Sequence, residues 1–245
     1  HVAIVTTVAP VHLEFFDNIQ QIAAAKAEIF SGLEPGGTAI LNSDNAFFGF
    51  LKAEAEKAGA DRVISFGTAG DAEARLDDFV LSETGSMVAS TICGDDVTFT
   101  MPTSGRYLAE NAMAVLAAAQ AMGADKADVA LGLSKFKLMG GRGARETHAL
   151  QAGSYTLIDD SYNANPASMS ASIGMLGELS TSGRKIVVLG DMLELGSESA
   201  HLHSDLNTNI EQAQIDRVLL CGPQMKHLWD VLTDSRKCVH TETSK

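Results

Sequence analysis

The sequence predicts an α/β protein in two parts: the latter portion of a parallel-sheet domain, residues 1–139, and a smaller doubly wound domain, residues 140–245. Three observations predict this. Between residues 2 and 66, short β-branched apolar runs alternate with helix-forming stretches, the rhythm of a parallel sheet with crossover helices. Residues 71–103 lose the helices and read as short alternating segments joined by polar turns. After Gly140-Gly141-Arg142-Gly143 the strand–helix rhythm begins again.

Taken in order, Val2–Val8 is an apolar run suited to a strand covered on both faces. It begins with no lead-in, so an N-terminal part is expected to precede it. A helix is expected from about Asn18 to Phe30, with Asp17 or Asn18 as its cap and Gly32 just past its end. Strands at Thr38–Leu41 and Arg62–Phe66 flank a helix over Phe48–Ala58. Antiparallel hairpins are expected from Phe79–Ser82, Met87–Ile92 and Val97–Met101, and helices over Tyr107–Met122 and Lys126–Ser134. In the second part, strands are expected at Tyr155–Ile158, Lys185–Leu189, Arg217–Cys221 and Cys238–His240, with helices from Pro166, around Ser199–Ala213 and after Pro223. The last strand lies close to Lys245, so the C-terminal edge of this domain is also expected to be incomplete.

Composition narrows the chemistry. Apolar residues make up 45% of 245 and charged residues 20%, which is globular rather than disordered. The net charge of −13 opposes binding to nucleic acid or to an anionic membrane, so any phosphate must be held by local devices such as helix N-termini, arginines or a metal. Three cysteines, Cys93, Cys221 and Cys238, lack metal-ligand spacing and read as reduced thiols of a cytoplasmic protein. No apolar run is long enough for a membrane helix.

Several residues stand out as candidates. On a helical wheel with Ile19 at zero, Lys26 falls inside the stripe of Ile19, Ile22, Ala23, Ile29 and Phe30. A lysine there either snorkels to solvent or is a desolvated amine able to react or coordinate. His12 follows the first strand at the sheet's carboxyl edge, where it is either structural or a ligand for metal or phosphate. Asn111, at the edge of its helix's apolar stripe, is either an ordinary polar residue or the paired donor and acceptor an adenine edge needs. The loop Asp159-Asp160-Ser161-Tyr162-Asn163-Ala164-Asn165-Pro166 joins a strand to a helix capped by Asn165, leaving the helix N-terminus to an anion and its carboxylates to ribose hydroxyls. Gly190–Gly196 is the equivalent loop after the next strand. Arg142 and Arg145 stand at the glycine-rich joint, placed to close over a nucleotide or simply to form surface ion pairs. The chain has no G-x-x-x-x-G-K-[ST], no G-x-G-x-x-G, no nucleophile elbow and no metalloprotease helix.

Three stretches together resemble the Mur ligases, ATP-dependent amide-forming enzymes of peptidoglycan synthesis: Val8–Glu14 with Ala25–Phe30, Asp159–Pro166, and Leu189–Gly196. The last two resemble the MurF-type branch, which adds D-Ala-D-Ala to UDP-MurNAc-tripeptide. The resemblance covers essentially the whole chain. It implies the latter part of a central ATPase domain followed by a Rossmann-like ligase domain, with ATP and Mg²⁺ as cofactors, and a monomer without nucleic-acid or membrane-inserted partners. It implies that His12 holds Mg²⁺, that Lys26 becomes a carbamate and second Mg²⁺ ligand, and that Asn111 contacts adenine. It further implies that Asp160 contacts ribose, that Arg145, or less well Arg142, reaches ATP on closure, and that Tyr162 and Asn163 line the cleft where nucleotide and dipeptide meet. Tyr107 departs from the family, which usually has histidine there. The family's phosphate loop is also missing, so these 245 residues alone are expected to lack ligase activity. The competing expectations are another Mur ligase or folylpolyglutamate synthase, and a non-catalytic nucleotide-binding module with an unmodified Lys26.

Overall fold

A computed structural model describes residues 1–10, 15–82, 85–103 and 105–243. These fall into two compact units, one comprising His1–Pro10 with Phe16–Leu138, the other running from Met139 onward. Among the described residues, no helix is long and apolar enough to cross a membrane.

The first unit is built on a six-stranded sheet of sequential order: β1 (Val2–Val5), β2 (Thr38–Asn42), β3 (Arg62–Gly67), β4 (Ala74–Ser82), β5 (Gly85–Ile92) and β6 (Asp95–Met101). The first three pair in parallel through the crossover helices α1 (Ile19–Ala27) and α2 (Phe48–Lys57). β4 joins β3 in parallel over only two residue pairs before turning into an antiparallel meander with β5 and β6. The parallel and hairpin stretches therefore form one continuous sheet. Because successive side chains on a strand point to opposite faces, Ile40, Ile64 and Phe66 turn one way and cluster with Met113 and Leu116 of α3 (Arg106–Ala121). Ala39 and Leu41 turn the other way, and α2, with buried Leu51 and Ala55, packs on β2 and β3. α4 (Lys126–Ser134), capped by Asp125, lies against β6 at the sheet's edge.

Asn18 caps α1, its side chain accepting from Gln21 N–H at 3.0 Å. The helix ends at Ala27 and tightens into a 3₁₀ turn over Glu28–Gly32. The expected stripe is corrected at one position: Phe30 is buried, whereas Ile29 is 50% exposed. The buried residues are Ile22, Ala23, Ala27 and Phe30, and Lys26 is half-buried on the same helix.

The second unit holds a three-stranded parallel sheet of order β11 (Lys237–Thr241), β10 (Arg217–Cys221), β9 (Ile186–Gly190). Helices α5 (Pro166–Glu178), α6 (Ser199–Gln212) and α7 (Lys226–Val231) share one core with the sheet: Ile173, Leu206, Ile210 and Leu228 pack with Val187, Val218 and Leu220. The expected strand at Tyr155–Ile158 forms as β8 (Ser154–Asp159), but its partner is β7 (Ala144–Ala149), an antiparallel strand the sequence did not announce. Ala-Arg-Glu-Thr-His-Ala lacks an apolar face, so only the pairing across the Gly153 turn reveals β7 as a strand.

Candidate functional site

In the first unit, the carboxyl ends of β1, β2 and β3 are tied together by the Asn42–Asn45 loop. The Asn42 side-chain amide donates to Thr6 O at 3.0 Å, and that of Asn45 donates to Val8 O at 3.0 Å. The Asp44 carboxylate accepts from Thr68 N–H at 2.6 Å and Ala69 N–H at 2.9 Å. Gly67, with φ +148, lets this carboxylate approach; a Cβ there would lie 2.6 Å from it. The edge where open α/β sheets bind ligands is thus a rigid, polar rim. Beside it, α3 starts with backbone N–H groups that no side chain among the described residues caps. Burial pushes the Glu110 carboxyl, in the second turn of α3, above its ordinary range; Arg106, 3.4 Å away, pulls it back and the charge of Asp44 adds to the rise. Asn111 is exposed on the same helix. His12 lies outside the described residues. Lys26 has no hydrogen-bond or ion-pair partner among the described residues, and none of these form a group of three His, Cys, Asp or Glu able to hold a metal.

In the second unit, the β7–β8 hairpin carries the dense polar loop to the start of α5. Gly143 N–H donates to Asp159 O at 2.7 Å, Gly141 N–H to the Asp159 carboxylate at 3.0 Å, and Tyr162 N–H to Gly141 O at 2.9 Å. These bonds stitch the glycine-rich joint to the loop, and they bring the Arg142 guanidinium over the Tyr162 ring, 4.1 Å from its centroid. Ser161 donates to Asp159 through its hydroxyl at 2.6 Å and its N–H at 3.2 Å; these bonds, with that from Gly141, hold the Asp159 carboxyl below its ordinary range. Asp160 accepts from the Ser172 hydroxyl on α5. Asn165 and Ser168 form a reciprocal capping box with Pro166 at the first helical position. Tyr162 and Asn163 are exposed, while Arg145 is half-buried on β7 opposite Ile158. A cavity of about 620 Å³ is lined by Asp159, Asp160, Tyr162 and Asn163 together with Gly190 and Asp191. The structure therefore gathers Asp160, Tyr162 and Asn163 around one cavity and sets Arg142 on the Tyr162 ring.

The Gly190–Gly196 loop is held from behind. The Asp191 carboxylate accepts from Gln224 N–H at 3.1 Å and Met225 N–H at 2.8 Å, across Gly222 at φ +116, where a Cβ would meet it at 2.3 Å. Met192 N–H donates to His203 Nε2 at 3.0 Å, and His203 Nδ1 lies 2.7 Å from Ser199 O. Since Met192 N–H can only donate, Nε2 accepts and the ring proton sits on Nδ1. His203 is fully buried. Neither His203 nor Asp44 was evident from the sequence, where each reads as one polar residue on a helix or in a turn.

Family models add the decisive observation. The Mur ligase middle domain matches residues 1–119, and the Mur ligase, glutamate ligase domain matches residues 145–245. The chain belongs to the Mur ligase family. It is 34% identical to the UDP-N-acetylmuramoyl-tripeptide–D-alanyl-D-alanine ligase of Escherichia coli, over 91% of this chain and 48% of that protein. It is 34% identical to the same ligase of Bacillus subtilis, over 90% of this chain and 46% of that one. A crystal structure of MurF from Acinetobacter baumannii superposes with a TM-score of 0.86 at 25% identity, over 98% of this chain and 50% of that one. The chain spans about half the length of the curated relatives it matches. Its two units have the folds of the MurF middle and C-terminal domains.

Proposed function

We propose that this chain is the nucleotide-handling and ligating part of a MurF-type enzyme, which joins D-Ala-D-Ala to UDP-MurNAc-tripeptide with ATP. The observation that carries the reading is the Asp159–Pro166 loop, stitched to the glycine-rich joint and ending on a helix start, in a chain with this likeness to D-alanyl-D-alanine ligases. In the proposed reaction, a terminal carboxylate oxygen of the tripeptide attacks the γ-phosphorus of ATP. The bond to the bridging oxygen breaks, leaving ADP and an acyl phosphate. The dipeptide amine then attacks the acyl carbon and loses a proton, and inorganic phosphate departs.

Each residue has a part in this proposal. Asn111 offers its amide to the adenine edge. Asp160 accepts from ribose, exchanging its Ser172 partner for a sugar hydroxyl. Arg145, or less well Arg142, neutralises phosphate charge. Tyr162 holds Arg142 by ring stacking and, with Asn163, borders the cavity the dipeptide approaches. His12, and Lys26 as a carbamate, would hold Mg²⁺. The Lys26 amine suits that modification because it is half-buried, with no competing partner among the described residues. Bound Mg²⁺ would supply neutralisation of the migrating phosphoryl charge.

The test is D-Ala-D-Ala-dependent ADP release by the protein isolated at its natural length, with UDP-MurNAc-tripeptide and ATP. Activity specific to D-Ala-D-Ala, lost in Lys26→Ala, supports the reading. Preference for a single amino acid or for glutamyl-folate overturns it. The 245 residues contain no Walker phosphate loop. Alone they should release no ADP above background, and D-Ala-D-Ala-dependent release from them would overturn the role assigned to that loop.

A further inference from the structure

The Gly190–Gly196 loop is held by a closed hydrogen-bond circuit whose two ends, Asp191 and Met192, are neighbours in sequence. The Asp191 carboxylate accepts from Gln224 N–H at 3.1 Å, and the Gln224 side-chain carbonyl accepts from the Ser199 hydroxyl at 3.0 Å. Ser199 O accepts from His203 Nδ1 at 2.7 Å, and His203 Nε2 accepts from Met192 N–H at 3.0 Å. Ser199 opens α6 and Gln224 precedes α7, so both helix starts are tied to one peptide link of the loop. His203 closes the circuit from a fully buried position. A residue that only filled the core there would do so at less cost as leucine, because a buried polar ring must keep partners for both nitrogens.

Past the circuit the chain runs out and back. Met192 and Leu195 are buried in the second core. Leu193 between them is 74% exposed, and Glu194 sits at φ +60, a left-handed conformation that costs energy in a residue with a Cβ. The reversal at Glu194 returns Leu195 to the core. The backbone is therefore pinned on both sides of one outward leucine. A scattered surface leucine needs no explanation, but this one lines the cavity that Asp159, Asp160, Tyr162 and Asn163 also line. Those four offer charge and hydrogen bonds; Leu193 offers only an apolar surface. An apolar group held rigidly among polar ones reads the apolar part of a ligand. In D-Ala-D-Ala that part is the two methyl groups.

We propose that Leu193 is a specificity-determining contact for a methyl group of the incoming dipeptide, and that His203 is the positioning residue that holds it there. The inference rests on the MurF-type reading of the site. His203 fixes the Met192 peptide, and that peptide fixes the direction in which Leu193 leaves the loop. His203 itself touches no substrate; it acts through the backbone.

The test uses the protein isolated at its natural length. Leu193→Ala should leave the melting temperature within about 1 °C, because the side chain is mostly in water. It should raise KM for D-Ala-D-Ala about ten-fold and leave KM for ATP within about two-fold. The inhibition constant of glycylglycine, which has no methyl group, should also stay within about two-fold. An unchanged KM for D-Ala-D-Ala, or an equal weakening of glycylglycine, overturns the contact. His203→Leu fills the core but leaves Met192 N–H unpaired. It should raise the same KM and speed amide exchange at residues 192–195 at least about ten-fold. His203→Gln, whose side-chain carbonyl can accept from Met192 N–H, should restore both. Unchanged exchange in His203→Leu overturns the positioning role. A wild-type protein that releases no ADP with D-Ala-D-Ala overturns the MurF-type reading and the role of Leu193 with it, while the exchange comparison still decides whether His203 holds the loop.

Discussion

Glu110 and His203 show what single side chains contribute. The folded chain holds a proton on Glu110 more tightly than the unfolded chain, because burial disfavours its charge. Stability therefore falls as pH rises from the ordinary carboxylate range through the raised value, and the cost is fully present at neutral pH. Glu110→Gln removes it and gives up only a half-exposed pair with Arg106 worth about 0.5 kcal/mol or less. The melting temperature should rise by roughly 1–3 °C at pH 7, and the gain should vanish near pH 4. A gain that persists at pH 4 would show that charge is not its source. His203 acts oppositely. Both ring nitrogens are engaged, and the residue is enclosed. His203→Ala leaves Met192 N–H without its acceptor and opens a cavity, a loss of about 2–4 kcal/mol. Trp229, which packs against the second core and is the one tryptophan, reports this as a lower urea midpoint.

At the scale of elements, the candidate loop depends on how α5 begins. Asn165 accepts from Ser168 N–H at 2.9 Å while the Ser168 hydroxyl accepts from Asn165 N–H at 3.1 Å. Asn165→Ala breaks the box and should cost about 1 kcal/mol. Urea unfolding followed by Trp229 fluorescence measures it, with Asn165→Ser as a variant that should retain most of the stability. An unchanged midpoint for Asn165→Ala would mean that Pro166 and packing alone set the helix start.

At the scale of the molecule, the two units have separate cores, one around Ile64, Phe66, Val88 and Leu116, the other around Ile173, Leu206 and Val218. Separate cores need not melt together. Trp229 fluorescence follows only the second unit, whereas far-ultraviolet circular dichroism follows both. The two urea curves should not coincide, and His203→Ala should shift the fluorescence curve while leaving the remaining dichroic transition in place. Superposable curves would show one cooperative unit instead.

What was legible in the sequence was whatever local chemistry writes directly: apolar runs for β1 to β3, the Asn18 and Asn165 caps, the meander turns, and the three motif stretches of a Mur ligase. Each depends on neighbours a few residues apart, so pattern and spacing suffice. Other features were decided by groups distant in sequence. β7 exists because β8 pairs with it. Asp44 turns to Thr68 because Gly67 lets it, and His203 holds a loop eleven residues back. Val188, which is exposed, reads in sequence as part of a buried strand, since Ile186–Leu189 is apolar throughout. Only the tertiary structure distinguishes the side that is covered from the side that is not, because periodicity records which residues prefer to leave water and not which partner removes them from it.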